Sequence, residues 1–260
     1  MIQFSKINQP DLDSGYTVDD NARALIAMCQ HYELTRDKED IPYINIYLKF
    51  IEFCQQHDGS FLNYVSDEKK FTAQNYETNL ADSNGRSIWA LGYLISLRPL
   101  LPIQLTALAN CIFEKALPHL SALHSTRAMA FIIKGLYYRN LKIKTEQNNL
   151  LIVELANRLL QMYRHERHNN WHWFESYLTY ANSLLPEAML YAWLSTGNIL
   201  YKEVAVEAFD FLLSKTFSPT RIKVISNQNW QHDGHDVVKK KNGGEQPIDV
   251  AYSILALSKF

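Results

Sequence analysis

Apolar residues recur at spacings of three and four along most of this chain, and polar stretches rich in Gly, Asn and Asp interrupt them. That period predicts amphipathic helices near residues 19–34, 41–56, 83–97, 103–117, 124–140, 147–164, 184–196, 200–215 and 247–260. Strict alternation is rare. SFLNYV at 60–65 and RIKVI at 221–225 each predict one short strand, and the fold class expected is all-α.

Every second helix resembles the others. DDNARALIAM from 19, DSNGRSIWALGYL from 82, STRAMAFIIKGL from 125, LPEAMLYAWLSTG from 185 and QPIDVAYSILAL from 246 align with Ala24, Ser87, Ala128, Ala188 and Ala251 at one position. The intervals are 63, 41, 60 and 63 residues. A small residue at a fixed point lets neighbouring helices approach closely. The helices between them, such as IPYINIYLKFIEFCQQ and YKEVAVEAFDFLLSK, carry a charged face and read as an outer layer. Stacked helix pairs of this kind build either an α-solenoid or a closed α/α toroid. The longer repeats each carry an insert of about 20 residues on the same side, which favours a toroid with a binding face. Five inner and four outer helices are expected in one domain spanning residues 1–260. That leaves an (α/α)6 ring incomplete, so the reading is a domain truncated at its C-terminus, an open ring, or a ring that a second chain completes.

Composition narrows the function. The 260 residues are 47% hydrophobic and 20% charged, ordinary for a chain with a sizeable core. A net charge of −1 and a pI near 6.8 give no reason to expect a nucleic-acid partner. No apolar run is long enough to predict a membrane span, and MIQFSKINQP has no signal-peptide pattern. Cys29, Cys54 and Cys111 lie far apart in apolar helices and read as buried, reduced thiols, hence a cytoplasmic setting. Aromatic residues make up 12% of the chain, and several stand in the polar inserts HDGSFLNYV, HNNWHWFESY and NQNWQHDGHD.

Acids mark the starts of the inner helices. Asp19-Asp20 open the first, with Arg23 one turn on; Asp82 opens the second, with Arg86 one turn on. Caps and local ion pairs explain each site singly. Recurrence at one repeat position suggests more, because a toroid gathers these helix ends at one mouth. Two carboxylates across a cleft are what glycoside hydrolysis requires. Glu175, Glu187 and Asp249 are expected on the same rim, with Tyr16, Trp171, Trp173 and Trp230 as stacking platforms or, alternatively, as packing under the loops.

The stretches GYTVDDNARALI at 15–26, DSNGRSIWALG at 82–92, WHWFESYLTYANSLLPEAMLYA at 171–192 and QPIDVAYSILAL at 246–257 resemble the six-hairpin, (α/α)6-toroid carbohydrate-active proteins. More narrowly, the chain is similar to a bacterial family found beside or fused to glycosyltransferases. The resemblance implies an all-α toroid, a carbohydrate-facing rim and a glycosyltransferase partner; it transfers no catalytic assignment.

Other chemistry has less support. His165, His168, His172, His232 and His235, with Asp233 and Asp236, match no tight metal-binding spacing. His172, between two tryptophans, is the first candidate for acid/base work of the epimerase or isomerase kind. VKKKNGGE at 238–245 reads as a solvated loop, and no phosphate-binding or nucleophile-elbow motif is present. The expected function is therefore a glycosidase-type hydrolase acting on an oligosaccharide or glycoconjugate. Asp19, Asp20, Asp82, Glu175 and Asp249 are its candidate catalytic acids. Tyr16, Arg23, Arg86, Trp171, His172, Trp173 and Trp230 are its candidate sugar contacts. No metal or organic cofactor is expected. The alternatives are a non-catalytic sugar-binding or scaffolding module and, third, an epimerase or isomerase.

Overall fold

The computed structural model describes residues 1–222, 225, 231–232 and 247–260, and it is mostly helical. Ten helices are described: α1 Val18–Thr35, α2 Asp40–Cys54, α3 Gln74–Glu77, α4 Ala81–Ser96, α5 Ile103–Leu120, α6 Thr126–Asn140, α7 Glu146–Glu166, α8 Leu184–Thr196, α9 Ile199–Thr216 and α10 Pro247–Leu257. All but the short α3 fall where the periodicity places them. Eight two-residue strands form four antiparallel pairs: β1 Ser5–Lys6 with β2 Gln9–Pro10, β3 Tyr16–Thr17 with β4 Tyr64–Val65, β5 Tyr177–Leu178 with β8 Gln231–His232, and β6 Phe217–Ser218 with β7 Arg221–Ile222. The strand expected at 60–65 thus shrinks to a two-residue pairing; of the one expected at 221–225, Arg221–Ile222 pairs and residues 223–224 lie outside the described residues. No described helix is long and apolar enough to cross a membrane.

The chain divides into two compact units, Met1–Leu151 and Ile152–Phe260. In the first, α4 lies between α1 and α6, while α2 packs on α1 and α5 on α4. Burial follows this layering. Every residue from Ser83 to Ile95 of α4 is buried, whereas α2 buries only Asp40, Ile44, Leu48, Ile51 and Cys54, one stripe of its surface. The inner pair α4 and α6 meets backbone to backbone. A Cβ added at Gly92 would stand 2.1 Å from the Gly135 carbonyl oxygen, and one at Gly85 2.8 Å from the Ala128 Cα. No side chain larger than hydrogen fits there.

The common small-residue position is only partly a contact position. Ser87, Ala128 and Ala188 are buried, but Ala24 is half-buried and Ala251 is exposed. In α1 the buried alanine is Ala22 instead. Cys29 and Cys54 are buried as expected; Cys111 is exposed, because it lies on the outward face of α5.

In the second unit, α8 packs against α9 and α10 and is buried continuously from Leu184 to Ala192. Gly197, in the left-handed region at φ 75°, ends α8 and lets α9 begin two residues later.

Candidate functional site at the first turns of the inner helices

Helix α1 starts where a loop clamps it. β3 pairs with β4, and Asn63 accepts the Asp19 N–H through Oδ1 at 3.0 Å and the Val18 N–H through its carbonyl at 2.9 Å. Buried Asn75 holds that loop in turn, accepting from the backbone N–H groups of Asn63 and Tyr64 and donating to the carbonyls of Tyr64 and Thr72. The N-cap itself is Thr17, whose hydroxyl oxygen accepts the Asp20 N–H at 3.1 Å. Capping is therefore not the task of Asp19 or Asp20.

Their four carboxylate oxygens are all engaged. Asp20 accepts from the Thr17 hydroxyl at 2.7 Å through one oxygen and from Arg23 at 2.7 Å through the other. Asp19 pairs with Arg23 at 2.9 Å and, through its second oxygen, with Arg86 of α4. Arg86 is 1% exposed, so Asp19 neutralises a charge that is out of reach of water. The guanidinium also lies 4.4 Å from the centre of the Phe131 ring on α6. Phe131 stacks on Trp89 at 5.6 Å and 15°, and the Lys134 ammonium lies over the Trp89 ring at 3.9 Å. A cation, two rings and a second cation are thus linked in series, with members alternating between α4 and α6. Next to it, Ser125, the N-cap of α6, donates to Asp82 at 2.5 Å. The first turns of α1, α4 and α6 are joined side to side by these two links.

Tyr16 stands immediately before this cluster and begins an aromatic row. Its ring centre is 6.0 Å from Phe50; Phe50 is 6.3 Å from Phe53, and Phe53 stacks on Phe71 at 5.1 Å. Phe53 is 48% and Phe71 36% exposed.

The expected residues of the second unit lie in different surroundings. Trp171 and Trp173 are core residues, packed around Phe211 and Phe174, and Trp173 has no exposed surface at all. The stacking role expected of them has no free ring face, because the insert folds inward on its indoles. The Trp171 indole N–H donates to the Glu175 carbonyl at 2.7 Å, which fixes the Glu175 backbone. His172 contacts the Glu207 carboxylate at 2.7 Å, and Arg167 reaches the same oxygen at 2.7 Å. Burial opposes ionisation of Glu207, but Tyr163, Arg167 and His172 around it outweigh this and hold its carboxyl below the usual range. Asp249 is buried and accepts the Ala181 N–H at 2.6 Å. Glu187 is 1% exposed. Trp230, His235, Asp233, Asp236 and the 238–245 stretch lie outside the described residues. No cluster of metal-ligating side chains occurs among the described residues.

Three contributors were not singled out from the sequence. Arg127, buried in the first turn of α6, directly precedes Ala128 just as Arg23 precedes Ala24 and Arg86 precedes Ser87. The repeat alignment contains that signal. Lys134 and Trp89 had a weaker one, a cation and a ring three residues apart on each of two neighbouring helices. A search of known protein families finds no match to this chain, and neither does a search of curated proteins.

Proposed function

We propose that this chain is a carbohydrate-binding protein of helical hairpins, with a glycan held at the first turns of α1, α4 and α6. The observation that carries the reading is the aromatic row from Tyr16 to Phe71 running up to the Asp19–Asp20–Arg23 cluster. Half-exposed ring faces stack on the apolar faces of sugars, and charged groups at the edge of such a platform take up hydroxyl groups. A closed α/α ring, a cytoplasmic location and a glycosyltransferase partner belong to the same proposal.

Binding without hydrolysis is the form that the geometry supports best. A glycosidase needs one carboxyl group free to pass a proton and a second across the sugar. Asp19 and Asp20 spend their oxygens on Arg23, Arg86 and Thr17, and Asp82 accepts from Ser125. The test is an oligosaccharide array followed by calorimetry on the hits, with Tyr16→Ala and Phe53→Ala beside the wild type. Each variant is expected to weaken binding by about tenfold without lowering Tm by more than a few degrees. Unchanged affinity in both variants would sink the reading, and release of reducing ends from a bound oligosaccharide would replace it with the hydrolase.

A further inference from the structure

A small pocket in the second unit sits where α8 and α10 begin and α9 ends, lined by Asn182, Ser183, Thr216, Asp249, Ser253 and the apolar Leu212. Its polar groups are unevenly satisfied. Thr216 donates its hydroxyl to the Leu212 carbonyl at 2.8 Å and Ser253 to the Asp249 carbonyl at 2.9 Å, so each presents oxygen lone pairs only. Asn182 closes on Thr179, accepting its N–H and donating to its carbonyl. Asp249 adds a carboxylate, one oxygen of which accepts from Ala181.

Ser183 differs from all of these. It occupies the N-cap position of α8, where a serine hydroxyl ordinarily accepts a backbone N–H, yet it makes no such bond. It is 1% exposed, and its hydroxyl has no hydrogen-bond partner among the described residues. A buried orphan hydroxyl is costly, and in a folded protein such a group calls for an explanation. Here one unused donor shares a pocket with several acceptors. The guest that satisfies both is an oxygen carrying its own proton: it accepts from Ser183 and donates to Thr216, Ser253 or Asp249.

We propose that this pocket recognises one hydroxyl group of a neutral polyol, such as the hydroxymethyl end of a sugar. The choice of a polyol rests on the carbohydrate reading above; the site itself does not. A water molecule carries the same chemistry, and the experiment separates the two. Saturation-transfer NMR and calorimetric titration with glycerol, glucose and mannose are run on the full chain as wild type, Ser183→Ala, Thr216→Val and, as a control at an exposed position, Lys142→Ala. The expected result is that at least one polyol binds the wild type, that Ser183→Ala and Thr216→Val each weaken it by about tenfold, and that Lys142→Ala leaves it unchanged. Thr216→Val keeps the side-chain shape, so it serves if Ser183→Ala does not fold. A wild type that binds no polyol, or variants that bind as well as it does, would leave only a water site and overturn the proposal. Oligosaccharide binding that depends on Tyr16 but not on Ser183 would also overturn it while sparing the carbohydrate reading. Glycerol binding that depends on Ser183, in a chain that binds no oligosaccharide, would do the reverse.

Discussion

Asp19 and Asp249 stand in the first turns of α1 and α10, two helices of the same repeat, yet they do different work. Asp19 reaches sideways and ties two helices together through guanidinium groups. Asp249 holds a loop, accepting the N–H of Ala181, whose φ of 48° lies in the left-handed region that a residue with a Cβ avoids. The position that supplies Arg23, Arg86 and Arg127 in the first unit supplies Glu187 in the second. A first-turn acid takes its role from the charge of its neighbours: Asp19 stands five residues before the aligned Ala24 and Asp249 two before Ala251, so the repeat fixes neither the acid's place nor its partner.

That contrast can be broken most forcefully at Asp19. Asp19→Ala leaves Arg86 buried without its carboxylate, and a loss of about 3 kcal/mol is expected in urea denaturation. Adding Arg86→Met should restore most of it, because the charge that needed a partner is gone. A double variant no better than Asp19→Ala would mean the pair is not what the acid contributes. At Asp249 the substitution to Ala is expected to cost about 2 kcal/mol, while Asn, which keeps an acceptor for Ala181, costs about half of that. Equal losses would show that charge matters there too, and the contrast would fade. Thr17→Ala is expected to cost about 1 kcal/mol, measured by thermal unfolding, since Thr17 and not Asp20 caps α1. Asp20→Ala with the larger effect would reverse that assignment.

The smallest effect is one of pH. Glu207 has a depressed folded-state value, so its contribution to stability is fully present above the unfolded carboxyl value of about 4.3. It is lost as the pH falls through the lower folded value. Glu207→Gln should therefore flatten the stability profile slightly below about pH 4 and leave it unchanged at neutrality. An equal slope in both proteins on the acid side would remove Glu207 from the account.

The helices were legible because their burial is periodic: one stripe of α2 faces inward, and hardly any part of α4 faces out. The site was legible only in part. Asp19 and Arg86 come together because the repeat places both at helix starts, while Asp82 meets Ser125 of the next inner helix. That Arg86 serves Asp19 of the preceding inner helix depends on which helices are neighbours, and local sequence is silent on that. The tryptophans misled for a related reason. HNNWHWFESY is polar enough to read as surface, but its indoles and Phe174 supply enough apolar area to fold the insert onto Phe211. Ser183 follows an Asn and begins a helix, which predicts a cap; only the helical backbone it adopts shows that its hydroxyl is left for something else.

The glycine contact between α4 and α6 has a consequence for motion. With backbone against backbone at Gly92 and Gly135, neither helix can slide or roll without a collision, so the two move as one rigid piece. The seam between α1 and α4 is different, since at its mouth it is closed by a single carboxylate shared between two guanidiniums. If the first unit breathes, it opens along that seam. The amides of α4 and α6 should then exchange with deuterium together and last, while those of the first turn of α1 exchange early.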